Sequence, residues 1–384
     1  MDLPGRRLSI ERHRSAGERI AAVFPGRYPR EVLHAAGFLP VEVWDPAGPI
    51  ARASGHLQPF VCGVGMRGLE LLLSERTPSL DCLVFPHLCD TLQNLFTVVR
   101  DCIGVPVPAF LFYTPRNVQD PGVRDFVVSR SRRLAGFLSG ITGRSISDED
   151  LLAAGRELDQ GLDALRKLYE ARNSGTLAIP NAEFYRTVRL REYVAPAEFV
   201  QAADRLLTDK SRPTAQPTGT TRLVLSGVLP DRDLLALLDQ LGVSLGEDDL
   251  ISCGRRFSRA APPGAANQRV QEAAGAGPRS AQAVDPDPWK ASADRLLALP
   301  PCTSIASPVE TRVKWLADLV STSGSRGVLF HTVKFCELEL FDHPFVVDGL
   351  RKAGIPVLVL ESELHQPQPG QLATRLEAFL EVLS

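Results

Sequence analysis

The stretch Leu80–Val99, LDCLVFPHLCDTLQNLFTVV, decides the fold. Its first half, Leu80–Pro86, is an apolar run stopped by proline, the pattern of a buried strand. Its second half opens a helix at Cys89. Val105–Tyr113 (VPVPAFLFY) follows as a third strand, weakened by its prolines. Upstream, Pro29–Gly37 reads as a helix that opens on proline and closes on glycine. It runs into a short strand at Pro40–Trp44. Cys62–Ser74 turns helical as Leu69, Leu72 and Leu73 fall on one face. Strand and helix alternating in this way predict a parallel α/β sheet.

From Asp125 to about Leu207 the pattern changes to long helices. Asp148–Tyr169 has an acidic start and a basic end that suit the helix dipole. The Pro/Thr-rich stretch 211–221 reads as a linker. A second α/β unit then starts with a strand at Arg222–Gly227, a helix at Asp231–Leu241 and a short strand at Val243–Leu245. Residues 258–288 are rich in Ala, Pro, Gly and Gln and predict a mobile loop. Helix Pro308–Val320, strands Gly327–Val333 and Ile355–Glu361, and an amphipathic helix Gln371–Leu383 complete the pattern. The expected organisation is an N-terminal α/β lobe (1–124), a helical connecting module (125–210), the linker (211–221) and a C-terminal α/β lobe (222–384). The fold class is α/β, with two Rossmann-like parallel-sheet lobes and the site in the cleft between them.

Composition narrows the function. The 384 residues are 44% apolar and 23% charged, with formal net charge −2. That balance gives no basis for nucleic acid or an anionic membrane as partner. No apolar run approaches the roughly 20 residues of a transmembrane helix. The N-terminus has early arginines but no apolar segment behind them, which speaks against a secretory signal. A cytoplasmic protein is expected. In a reducing compartment the seven cysteines, at 62, 82, 89, 102, 253, 302 and 336, are packing groups, metal ligands or catalytic thiols rather than disulfides. No two form a CxxC, so metal ligands would have to come from distant parts of the chain.

Ligands of open parallel sheets collect beyond the carboxyl ends of the strands. Cys89 lies three residues after one strand end and Cys336 three after another, and both open helices. Cys62 heads its own helix. Helix N-termini lower a thiol pKa and favour thiolate. Three such thiols from two lobes could converge on a cluster and leave one iron open. The plain alternative is that free cysteines act as small hydrophobes. That reading suits Cys82, inside a strand, and Cys102, while Cys253 and Cys302 look incidental.

At these same residues the sequence resembles the 2-hydroxyacyl-CoA dehydratase and benzoyl-CoA reductase family, over nearly the whole chain. YPREVLHAAGFLPVEVW is similar to the family's N-terminal entry. LQPFVC followed by LELLLS resembles the segment with the first cluster cysteine, here Cys62. LDCLVFPHLCDTLQNL resembles D-ϕ-ϕ-F-P-x-x-C-D, whose cysteine is the second ligand, here Cys89. VKFCELELFDHPFV resembles K-x-C-x-x-x-x-F-D-x-P, which makes Cys336 the third. The resemblance implies an iron–sulfur (4Fe–4S) subunit, a homologous second subunit forming a heterodimer, and a separate ATP-dependent iron–sulfur activator. It implies one-electron radical chemistry on an acyl-CoA thioester, through a ketyl in the dehydratases (lyases) or by ring reduction in the aryl-CoA reductases.

Two departures bear on this. The family's arginine four residues after the first cysteine is Met66 here, with Arg67 one later. The usual D-D-ϕ-C-x-G-x-R appears as DDLISCGRRF, its cysteine moved to Cys253. They leave open a non-catalytic, cluster-carrying electron-transfer partner, and a cluster-free α/β binding module is the third reading. Among other residues, His87, Arg27 and Tyr28 are candidates to touch substrate, and Lys334 to meet a CoA phosphate. Asp90 is expected to orient its helix start or the cluster loop. His331 reads as a core histidine. Arg255 and Arg256 read as phosphate ligands or surface charges, and Phe85, Phe335 and Phe341 as packing. No GxGxxG or P-loop follows a strand, which excludes a dinucleotide or ATP site of those kinds.

Overall fold

The structure, a computed structural model, describes residues 4–46, 48–74, 80–211, 221–257, 285–364 and 369–383. Helix α1 (Arg6–Ser15) leads into β1 (Arg19–Val23), α2 (Arg30–Ala35), β2 (Phe38–Glu42), α3 (Gly63–Leu73), β3 (Cys82–Pro86), α4 (Asp90–Thr97) and β4 (Ala109–Phe112). The four strands pair in parallel in the order β2-β1-β3-β4. Side chains alternate between faces as a strand requires. Ala21, Val23, Cys82 and Val84 pack toward α2 and α5 (Val123–Thr142), whereas Ala22, Leu83 and Phe85 pack toward α3 and α4.

The second lobe repeats the plan. It contains β5 (Arg222–Gly227), α9 (Arg232–Gln240), β6 (Ser244–Leu250), α10 (Pro288–Leu297), α11 (Val309–Ser323), β7 (Val328–Val333), α12 (Glu337–Leu340), α13 (His343–Lys352), β8 (Val357–Ser362) and α14 (Pro369–Leu383). Its parallel order is β6-β5-β7-β8. Between the sheets run α5, α6 (Asp148–Asn173), α7 (Asn181–Val188) and α8 (Pro196–Lys210). Helix α6 begins with a capping box between Ser147 and Asp150. Leu151 and Ala154 belong to the first lobe's core, Leu165 and Leu168 to the second's. Helix α10 packs back on the first lobe through Trp289, Ala293 and Leu296.

Several boundaries move. The strand expected at 40–44 occupies Phe38–Glu42. Of 105–113 only Ala109–Phe112 is strand, because Pro106 and Pro108 cannot donate to the ladder. The short strand expected at 243–245 extends to Leu250, with Glu247, Asp248 and Asp249 all buried. Such a carboxylate run reads against a strand, but here every one has a partner. Asn173 Nδ2 meets Glu247, the Tyr169 and Tyr185 hydroxyls meet Asp248, and Ser226, Arg255 and Trp315 meet Asp249. Most of the expected linker and loop, 212–220 and 258–284, lies outside the described residues. Among the described residues no helix is long and apolar enough to cross a membrane.

Two expected results follow from local geometry. Gly227 has φ +151°, and a Cβ there would lie 2.3 Å from the His331 carbonyl oxygen in the adjacent strand. Gly227→Ala is therefore expected to cost about 2–4 kcal/mol in denaturant unfolding; a loss under half a kcal/mol would show that the strand end yields freely. The pKa of His34 is pushed down to about 3, by burial and then by Arg30, which donates to its ring at 3.4 Å. An unfolded histidine titrates near 6.5, so between roughly pH 6.5 and 3 the unfolded chain binds the extra proton. Stability from this group is complete above about pH 6.5 and declines as pH falls toward 3. His34→Leu should lose less stability than the native chain between pH 7 and pH 5, and equal losses would refute the assignment.

Candidate functional site

An apolar seam joins the lobes. Val64, Leu69, Phe85 and Leu88 of the first pack with Val228, Leu229, Ile251, Ile305, Val333, Leu338 and Leu364 of the second. Each such fully buried large side chain contributes roughly 1.5–3 kcal/mol. Cys62, Cys89 and Cys336 sit in this seam. Each is the residue just before a helix: Cys62 before α3, Cys89 before α4, Cys336 before α12. Cys62 and Cys336 are buried and Cys89 half-buried. Backbone N–H groups of Val64 and Gly65 point at the first sulfur, those of Thr91 and Leu92 at the second, and that of Glu339 at the third.

The three thiols lie within electrostatic reach of one another. Burial pushes the Cys89 thiol up to about 12, and the neighbouring Cys62 adds to the shift. Burial also raises Cys336 well above its ordinary value, helped by Cys62 and Cys89. Cys62 rises through burial too, against the two backbone donors. The expectation of lowered thiol pKa values is thus corrected: dehydration and crowding outweigh the helix termini. Metal-free, the three sulfurs stay protonated. Glu337 ties the lobes together at this point, its Oε1 accepting the backbone N–H groups of Asp90 (2.9 Å) and Thr91 (3.2 Å) at the start of α4. The helix start that Asp90 was expected to orient is capped from the other lobe.

Among the described residues no group of three or more His, Cys, Asp or Glu side chains is placed to hold a metal ion. A donor set of three soft sulfurs in a dry seam, each served by backbone N–H groups, fits a cluster chemically.

The remaining candidates take varied places. His87 stacks on Tyr113 (4.3 Å, 8°), and its buried Nδ1 has no hydrogen-bond partner among the described residues. Burial, then Arg116, lowers its pKa, so the ring is neutral. The Tyr28 hydroxyl donates to Glu42 at 2.8 Å, and Arg27 donates to the Pro300 carbonyl. Lys334 pairs with Glu363 at 3.1 Å, and His331 lies in the core with Nε2 at 2.7 Å from Ser362 Oγ. Met66 is buried, and Arg67 braces the lobes by donating to the Gly48 and Leu364 carbonyls. A cavity of about 1150 Å³ lies beside α3, lined by Ile10, Val43, Arg67, Glu70, Arg189 and Tyr193 among others, but by none of the three cysteines.

Other expectations fail. Arg255 and Arg256 are neither surface charges nor free phosphate ligands. Arg255 is buried in an ion cluster with Asp249 (2.8 Å) and Glu339 (2.7 Å), and Arg256 pairs with Glu42. Phe85 packs as expected, stacked on Phe24. Phe335 and Phe341 do not: they are 45% and 75% exposed. Cys102 is exposed, because α4 continues as a wide turn over Val98–Ile103 whose outer side meets solvent. Cys302 is buried, its sulfur accepting from Arg255 and Ser304. Burial raises its pKa, but Arg255 and Arg27 overturn that, and the net shift is downward. Glu339, Arg312 and Glu42 were missed altogether. The one hint for Glu339 was its place three residues after Cys336.

The 2-hydroxyglutaryl-CoA dehydratase, D-component, family model matches residues 26–383. The chain is 22% identical over 374 residues to the (R)-phenyllactyl-CoA dehydratase beta subunit of Clostridium sporogenes, covering 96% of this chain and 92% of that protein. It is 23% identical over 376 residues to the (R)-2-hydroxyglutaryl-CoA dehydratase subunit beta of Acidaminococcus fermentans (97% and 95%). To a benzoyl-CoA reductase subunit of Thauera aromatica it is 23% identical over 347 residues (88% and 84%). With a match across almost its entire length, the chain belongs to the 2-hydroxyglutaryl-CoA dehydratase D-component family and is an enzyme subunit of that family.

Proposed function

We propose that Cys62, Cys89 and Cys336 hold one 4Fe–4S cluster between the lobes, with one iron lacking a protein ligand. On this reading the chain is the iron–sulfur subunit of a cytoplasmic 2-hydroxyacyl-CoA dehydratase or benzoyl-CoA reductase-like enzyme. The observation that carries it is the meeting of three helix-heading thiols from two lobes in one apolar seam. When bound, the cluster supplies low-potential single-electron transfer toward an acyl-CoA thioester. The chain's own part is to bind and insulate. Leu88, Val333, Leu338 and Leu364 keep water from the sulfurs, and the five backbone N–H groups stabilise negative charge on them and tune the potential. Neutral His87, with its unpartnered Nδ1, is the candidate to donate to or accept from a group on substrate.

A homologous second subunit and an ATP-dependent iron–sulfur activator are the partners of this reading. Phe335, Leu340, Phe341 and Phe345 stand exposed around α12, and Phe60 two residues before Cys62. Phe335 sits at φ +62°, a conformation that costs energy in a non-glycine residue. Such a patch marks an interaction surface. Phe341→Ser is expected to weaken subunit association about tenfold or more by analytical ultracentrifugation; unchanged association would place the interface elsewhere.

A second reading is an electron-transfer partner that never touches substrate; the large cavity beside α3 has none of the three cysteines in its wall. Anaerobic purification followed by iron and sulfide analysis and EPR tests both against a cluster-free module. About four irons and four sulfides per chain are expected. Protein that carries neither under strictly anoxic conditions would overturn the proposal.

A further inference from the structure

The cavity of about 1150 Å³ beside α3 exceeds the roughly 300–1,000 Å³ of ordinary small-molecule sites. Its wall draws on β1, β2 and α3 of the first lobe, on α1 and α7, and on α9 of the second lobe. The floor is apolar: Ile10, Ala22, Val41, Val43 and Leu235 line it, and all five are buried. The mouth is cationic. Arg7, Arg52, Arg186 and Arg232 stand exposed there beside Ile50.

Seven arginines and three carboxylates line this space, and the carboxylates are already engaged. Asp45 takes both Nη atoms of Arg189 (2.9 and 2.6 Å), and Glu192 takes Arg6 (2.9 Å) and Arg189 (2.7 Å). Glu70 accepts the backbone N–H groups of Ala51, Arg52 and Ala53 at 3.0, 2.8 and 2.9 Å. Arg7 and Arg232, with side chains 82% and 81% exposed, meet Glu11 (3.4 Å) and Asp233 (3.7 Å), contacts of little weight in water. Arg67 is 6% exposed, and its Nη atoms donate to the Gly48 and Leu364 carbonyls. Its Nε is buried with no partner among the described residues. A buried guanidinium served by carbonyls alone still lacks a counter-ion.

An apolar floor beneath a cationic mouth suits a molecule with an apolar tail and one negative head. The planar fork of arginine matches a carboxylate, and each methylene taken out of water strengthens binding about fourfold. We propose that this cavity binds a free medium- or long-chain carboxylic acid, its tail against Val41, Val43 and Leu235 and its head among Arg7, Arg52 and Arg232. The site stands apart from the cluster reading, although α3, the helix headed by Cys62, gives Arg67, Glu70 and Leu71 to its wall.

Isothermal titration of the full chain with octanoate, decanoate and dodecanoate, below their micelle concentrations, tests this. One site per chain is expected, with affinity rising about tenfold for each two added carbons. Dodecyltrimethylammonium, the same tail on a cationic head, should bind at least tenfold more weakly than dodecanoate. Arg7→Glu combined with Arg232→Glu should weaken dodecanoate at least tenfold without lowering the melting temperature, since both side chains are exposed. Ala182→Trp, from a half-buried position in the wall, should fill the space and abolish binding; if that chain fails to fold, the charge reversal decides alone. Phe341→Ser should leave dodecanoate binding unchanged, because the exposed aromatic patch is elsewhere. Affinity independent of chain length, equal binding of the cationic amphiphile, or loss of binding with Phe341→Ser but not with the charge reversal would each overturn the proposal. Dodecanoyl-CoA binding the same site more tightly than dodecanoate would give the cavity to a thioester and overturn it too.

Discussion

Replacing Cys62, Cys89 or Cys336 by alanine, one at a time, is expected to take the protein from about four irons per chain to fewer than one. On the proposed reading each thiol is the one protein ligand of its own iron, and with two left the cluster would have no stable seat. One further thiol, Cys302, lies in the seam, but its sulfur is taken up by Arg255 and Ser304. Cys82 is buried in β3 on the sheet face that packs away from α3 and α4, and Cys253 belongs to the second lobe's core. Cys102→Ala is the matched control, since that thiol is exposed on the turn after α4 and should leave iron content untouched. The substituted proteins should still fold, because Glu337 and the apolar seam hold the helix starts without the sulfurs. Far-UV circular dichroism would confirm that the missing iron reflects ligand loss rather than unfolding. Full iron retention in any one of the three would remove that residue from the site.

The second large effect concerns Glu339, which holds the turn bearing Cys336. Its carboxylate takes Arg255 at 2.7 Å and lies 3.3 Å from His343 and 3.9 Å from Arg312, with both arginines almost wholly buried. Burial would raise its pKa, but Arg255, His343 and Arg312 together hold it well below the usual carboxylate range. Removing one member of such a buried network leaves the others uncompensated. Glu339→Ala is therefore expected to cost about 3–5 kcal/mol in denaturant unfolding. Glu339→Gln keeps the shape and some hydrogen bonds and should cost less. Iron content should fall with Glu339→Ala even in folded protein, since α12 and Cys336 lose their anchor to β6 and α11. A cost below about 1 kcal/mol would mean that the cluster of charges relaxes independently of the cysteine turn.

Parts of this were legible in the sequence for physical reasons. LDCLVFP declares itself because a strand buried on both faces is apolar throughout, and all five residues of β3 are buried. Cys89 and Cys336 stand out because they follow strand ends, where parallel sheets place ligands, and Cys62 because it heads a helix. The strand SLGEDDL hid behind three carboxylates whose partners Tyr169, Tyr185, Asn173 and Trp315 lie 63 to 79 residues away in sequence. Arg255 and Arg256 look like surface charges for the same reason, since Glu339 and Glu42 reach them only through the tertiary fold. The direction of the thiol pKa shifts was misjudged because helix-terminus fields are local, whereas dehydration belongs to the assembled seam. Phe335 and Phe341 look like core in any local window, and only the direction of the short helix after Cys336 turns them outward.

Iron anomalous diffraction from anaerobically grown crystals asks the sharpest question of this protein. The expected map has one compact iron peak bounded by the sulfurs of Cys62, Cys89 and Cys336, with no fourth side chain on it. Iron bound elsewhere, or three sulfurs too far apart to share a cluster, would contradict the assignment.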